Sequence, residues 1–147
     1  MGCSGRYADA ADYAGIWGDE YSEKTEPFIL KALEMSAPQI HAALAARDQC
    51  DCTLQAWAEN YLKQINCVLA ALFVKASGCP FPTLTAEEHA FYGQWCENRL
   101  GELRDGTVAV CVGDTGINYP AIASIEQAVT TFAAARIVLN RIRRENG

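Results

Sequence analysis

The sequence predicts a mainly α-helical bundle of four or five helices, with a short β-like loop insertion and a C-terminal arm. Three observations carry this. Between residues 7 and 106, apolar side chains recur at three- to four-residue spacing. Glycines, prolines and cap-type residues punctuate that pattern at helix-sized intervals. A chain of 147 residues, 50% hydrophobic and 20% charged, has the size of one domain and enough apolar surface for a core. The reading divides the chain into a bundle core at 1–106, an insertion at 107–123 and a last helix or extended arm at 124–147, with no internal repeat.

Ala8 to Ile16 reads as a short first helix, stopped near Gly15 and Gly18. Asp19 to Lys24 is polar and turn-like. A second helix opens at Thr25, a residue type favoured as N-cap, with Pro27 tolerated in the first turn. Its apolar residues Ile29, Leu33, Ile40 and Leu44 keep helical spacing with one slipped turn. Pro38 falls inside, so a kink or two shorter pieces are expected.

The third helix is placed from a Thr53 cap to about Ala76. Leu54, Trp57, Tyr61, Leu62, Ile65, Val68, Leu69, Leu72 and Phe73 give it a wide apolar face, as expected of a helix at the centre of a bundle. Ser77-Gly78, Pro80 and Pro82 end it. The fourth opens with Thr85-Ala-Glu-Glu88, a capping box, and buries Phe91, Tyr92, Trp95, Leu100 and Leu103. Arg104 suits its C-terminal dipole, and Gly106 is placed for a left-handed cap. Val108 to Val112 is short and β-branched, and Gly113-Asp-Thr-Gly116 is a turn. Ser124 suits the cap of a last helix to about Arg136, while Val129 to Phe132 fits an extended arm equally well.

The net charge is −6, unevenly spread. Residues 122–147 carry a net +2 from Arg136, Arg141, Arg143 and Arg144 against Glu126 and Glu145, which leaves −8 on the rest. An acidic body repels phosphate, and the basic end suits an acidic partner, a short phosphate-binding arm or simply a solvated helix end. The apolar run Cys67 to Val74 is far shorter than a membrane span, and residues 1–9 lack an apolar h-region. The expectation is a soluble protein on the inner side of a membrane. The seven cysteines, odd in number, are accordingly expected as reduced thiols, with Cys67 and Cys96 as small buried hydrophobes.

No residue set announces catalysis or metal binding. Cys50-Asp-Cys52 is one residue tighter than a C-x2-C zinc pair, and His41 and His89 stand far apart. His41 reads as a helix-surface or core-edge histidine. Glu87, Glu88 and His89 are consecutive on a helix, so they point in different directions. Asp114-Thr115-Gly116 matches the aspartic-protease triplet, but that chemistry needs paired carboxylates in a β-rich lobe, and a Gly-Asp-Thr-Gly turn is a common connection. No Walker A, G-x-G-x-x-G, G-x-S-x-G or H-E-x-x-H motif is present. The expectation is a non-enzyme without cofactor.

The order of features is more specific than any one of them. Tyr7-Ala8-Asp9-Ala10-Ala11-Asp12 leads a short helix, Ile29 to Leu44 an amphipathic one, Trp57-Ala-Glu-Asn-Tyr-Leu62 an apolar one, and Tyr92-Gly-Gln-Trp95 with Leu100-Gly-Glu-Leu-Arg104-Asp-Gly106 a fourth. Over residues 7–106 this resembles the head–tail connector (adaptor) proteins of tailed bacteriophages, a helical-bundle family. The resemblance implies a structural virion protein in the neck, assembled in the host cytoplasm as a ring of roughly twelve copies. Its implied partners are the portal protein, sister copies and the next neck or tail protein. DNA would pass through the channel without specific binding, and no membrane is involved.

By the same resemblance the C-terminal segment reaches into the portal. Its matching residues are Arg136, Ile137, Leu139, Asn140, Arg141, Ile142, Arg143 and Arg144. Apolar members would fill grooves while arginines pair with acidic portal side chains. The 107–123 loop is expected against a neighbouring subunit or the next ring. The alternatives are a β-rich stopper or tail terminator, an aspartic protease acting through Asp114, and a helical DNA-binding regulator using the arginine tail.

Overall fold

A computed structural model of the chain describes residues 3–18, 22–74 and 84–113. These form a helical bundle of α1 (Ala10–Trp17), α2 (Glu26–Ala45), α3 (Ala58–Val74) and α4 (Ala86–Asp105), and 66% of the described residues are helical. A fifth helix, the turn at 114–116 and the arm at 124–147 fall outside the described residues.

Local chemistry sets the helix ends. Asp9 caps α1 through a reciprocal box: its Oδ1 accepts the Asp12 N–H at 2.9 Å, and Asp12 Oδ2 accepts the Asp9 N–H at 3.0 Å. Thr85 and Glu88 do the same for α4, each bond at 3.1 Å. The box satisfies donors that a helix start leaves without intrahelical partners. Gly106 closes α4 in the left-handed region at φ 79°, with the Arg47 guanidinium lying where a Cβ would project. α2 starts differently from expectation. The Thr25 hydroxyl makes no cap bond to the helix, because it accepts the Ser22 N–H and donates to the Ser22 carbonyl, both at 3.0 Å.

Pro38 does not divide α2, which runs unbroken through it, with Pro38 on the exposed face. The slipped turn between Leu33 and Ile40 is filled by two small residues, Ser36 and Ala37, both fully buried. This is where α3 comes closest in chemistry: Asn66 Nδ2 donates to Ser36 Oγ at 2.9 Å and to the Leu33 carbonyl at 3.1 Å.

α3 packs against all three other helices and is buried along most of its length. Two apolar clusters meet along it. One joins α1 and the first half of α2 (Tyr13, Ile29, Leu33) to the second half of α3 (Cys67, Ala70, Val74). The other joins the second half of α2 (Ile40, Leu44) to the first half of α3 (Tyr61, Leu62, Ile65), to α4 (Tyr92, Trp95, Leu100, Leu103) and to Val108 and Val110. Trp17 links them, donating its indole N–H to the Cys67 carbonyl at 3.2 Å and meeting Tyr92 edge-on at 5.1 Å. Phe91, expected in the buried stripe, is instead exposed.

Thr53 does not cap α3, which starts at Ala58. Leu54 pairs with Cys111 in an antiparallel bridge, so the chain is extended at Leu54 and then turns through Ala56–Trp57 into α3. Leu54, Trp57 and Tyr61 keep helical spacing because Leu54 on its bridge and Trp57 in the turn pack against the same core, both partly buried.

Candidate functional site

The described residues that carry the most chemistry lie at one end of the bundle, around the α2–α3 loop. Here the structure overturns the expectation of reduced thiols. Cys3 is bonded to Cys50, and Cys52 to Cys111, with Cα–Cα separations of 4.8 and 5.7 Å. The partners are 47 and 59 residues apart in sequence, so only folding brings them together. The tight Cys50-Asp-Cys52 spacing that argued against zinc instead serves two separate bridges. Cys67 and Cys96 are free and buried as expected, and burial pushes both thiols well above their ordinary range.

The two bridges tie different segments to one loop. Cys3 heads an N-terminal segment whose Tyr7 and Ala8 N–H groups both donate to Asn66 Oδ1, at 3.0 and 3.1 Å. Tyr7 also donates its hydroxyl to His41 Nδ1 at 2.6 Å, while His41 Nε2 donates to the Gly5 carbonyl at 2.8 Å. The Gly5 carbonyl can only accept, so Nε2 carries the proton of that bond. Burial pushes the Tyr7 phenol up to about 12, so it stays a donor. His41 is therefore a core-edge residue holding the N-terminal segment. A cavity of about 160 Å³ lies beside the bridges, lined by Cys3, Tyr7, Gln49, Cys50, Cys52 and Leu62 among others.

The second segment is a strap formed by residues 107–113, following α4. Val108, Ala109 and Val110 are fully buried. The Gln55 side-chain amide donates to the Ala109 and Cys111 carbonyls, at 2.8 and 3.2 Å, and its oxygen accepts the Trp57 indole N–H at 3.2 Å. Backbone bonds from Gln55 N–H to the Val110 carbonyl and from Val112 N–H to the Thr53 carbonyl, both 2.8 Å, complete the ladder. Of the β-like stretch Val108–Val112, residues Val108–Cys111 thus form an inward-facing strap, and Val112 projects outward. Gln55 and Asn66 were not singled out in the sequence. A lone amide inside or beside an apolar helix run is the signal that would have found them, since buried amides need partners.

Of the residues expected to bind the portal, Arg136, Ile137, Leu139, Asn140, Arg141, Ile142, Arg143 and Arg144 all lie outside the described residues. So do Asp114, Thr115, Gly116 and Cys79. Glu88 is spent on the α4 cap, and Glu87 and His89 are exposed beside it. Among the described residues, no group of three or more His, Cys, Asp or Glu is arranged to hold a metal ion. No described helix is long and apolar enough to cross a membrane.

Four large apolar side chains remain on the described surface: Phe28, Met35, Phe91 and Val112, the last 64% exposed. Phe28 and Met35 are two turns apart on α2, hence on one face. The chemistry of this end is thus bridging, clamping and packing. Set against known protein families, curated proteins and solved structures, the chain matches none.

Proposed function

We propose that this chain is a structural virion protein: a head–tail connector that forms a homo-oligomeric ring between portal and tail. The observation that carries the reading is the bundle itself. Its four helices follow the order on which the resemblance rests, and two of its helix ends use residues quoted for it, Asp9 with Asp12 and Gly106. Three further points support it. The acidic body suits a channel that passes DNA without gripping it. Exposed Phe28, Met35 and Phe91 offer apolar area for sister copies. Disulfides persist in oxidising surroundings, which a released particle meets.

In this reading the basic–apolar alternation from Arg136 to Arg144 docks into the portal, and the protein has no catalytic role. A β-rich stopper or tail terminator fits a fold dominated by helices less well. The test is co-expression of the full chain with its portal, followed by sizing of the purified material. A portal-sized complex that is lost on deleting residues 136–147, with the deleted protein still giving a helical circular dichroism spectrum, supports the proposal. A wild-type chain that stays monomeric beside its portal refutes it.

A further inference from the structure

We propose that the two disulfides form a redox lock that opens in a fixed order, Cys3–Cys50 before Cys52–Cys111, and that the second bond controls local opening of the 107–113 strap. The lock does not depend on the connector reading.

The geometry supplies the order. Cys3 and Cys50 both lie partly exposed at the edge of the core, so this bridge faces solvent on one side and its departing thiolate leaves toward water. Cys111 is 7% exposed and belongs to the apolar core beside Val108 and Val110. Attack on Cys52 requires Cys111 to leave as a thiolate in that apolar setting, and attack on Cys111 requires the reagent to enter it. Both routes are disfavoured by the desolvation of the charged sulfur.

The chemistry is thiol–disulfide exchange with a small thiol such as glutathione. One thiolate attacks a sulfur of Cys3–Cys50, forming a mixed disulfide and releasing the other cysteine as a thiolate, which takes up a proton. A second glutathione resolves the mixed disulfide. Two glutathiones are thereby oxidised to glutathione disulfide, and the protein gains two electrons and two protons. The second bridge follows by the same steps, and glutathione disulfide reverses them.

The lock is reversible because each segment keeps a non-covalent register. Asn66 and His41 hold the N-terminal segment, so Cys3 stays beside Cys50. Gln55 and the Leu54–Cys111 bridge hold the strap, so Cys111 stays beside Cys52. What the second bond adds is suppression of transient opening: without it the strap is held by its hydrogen bonds and the small buried side chains of Val108, Ala109, Val110 and Cys111.

The test uses the full chain. Peptide mapping of non-reduced protein is expected to show the Cys3–Cys50 and Cys52–Cys111 links. Titration through glutathione buffers of decreasing potential, with iodoacetamide trapping, is expected to release Cys3 and Cys50 first. Hydrogen exchange at the Gln55 and Val112 amides should stay slow in that intermediate and accelerate at least tenfold, roughly, once the second bridge opens. Simultaneous or reversed release, other pairings, or strap exchange that is equal in all states overturns the proposal. The Cys3→Ser/Cys50→Ser double variant is expected to keep wild-type strap protection. The Cys52→Ser/Cys111→Ser variant is expected to lose it, and if that variant does not fold, the wild-type titration decides.

Discussion

Asn66 holds the backbone N–H of Tyr7 at 3.0 Å, across 59 residues of sequence. The same side chain accepts from Ala8 and donates to the Leu33 carbonyl and the Ser36 hydroxyl, so all four of its hydrogen-bonding positions are used inside the bundle. One fully buried amide thus joins the N-terminal segment, α2 and α3. Asn66→Leu should lower unfolding free energy by about 2–4 kcal/mol, because it strands several buried partners at once. Urea denaturation measures this, and a loss near zero would mean those groups find other partners. Asn66→Asp keeps the acceptors but faces the Leu33 carbonyl with a carboxylate, so it should not restore stability.

Gln55 plays the corresponding part for the strap. Gln55→Ala removes both bonds to the Ala109 and Cys111 carbonyls and the acceptor for Trp57. The expected loss is about 1–3 kcal/mol, with faster amide exchange at Val112 than in α3. Uniform acceleration across the bundle would show instead that the strap and helices open as one unit.

Gly106 ends α4 with φ 79°, a conformation that costs a residue bearing a Cβ about 1–2 kcal/mol. Arg47 fills the space a Cβ would enter, so Gly106→Ala must also displace its guanidinium. A lowered thermal midpoint is expected for Gly106→Ala. Gly93→Ala, where a Cβ meets nothing within 4 Å, should leave stability unchanged or raise it slightly.

Asp9 gives the α1 cap a pH dependence. Its carboxyl is held below the ordinary range, first by the Asp12 backbone N–H. A depressed folded-state pKa contributes stability above the unfolded value, and that contribution is lost as pH falls through the folded value. α1 should therefore loosen only in acid below roughly pH 4. Amide exchange at Asp12, followed from pH 6 downward, reads this directly. Asp9→Ala should remove the effect at every pH.

Native protein treated with a thiol-alkylating reagent should leave Cys67 and Cys96 unmodified, because both are buried and their thiols are held protonated. Labelling after unfolding should reach both. Rapid native labelling at either position would show that the two apolar clusters open far more readily than their packing indicates.

Residues near one another in sequence made much of the fold legible. The Thr85–Glu88 box and the Gly106 cap are local arrangements, and each formed where the pattern placed it. The apolar periodicity of Tyr61 to Phe73 likewise located α3 and its central position, since a face that wide must be covered on several sides. Where reading failed, the deciding partner was distant. Leu54 kept helical spacing but paired with Cys111, so the backbone at Leu54 is extended rather than helical and the helix starts only at Ala58.

Charge distribution, helix order and most helix boundaries were thus determined by the chain itself, because capping and amphipathic burial act over a few residues. The pairing of Cys3 with Cys50 and Cys52 with Cys111, the satisfaction of Asn66, and the inward strap at Val108–Val110 were decided only by tertiary structure. The physical reason is common to all three. A thiol, an amide or a short apolar run specifies that it needs a partner, but which partner it meets depends on how α2, α3 and α4 pack.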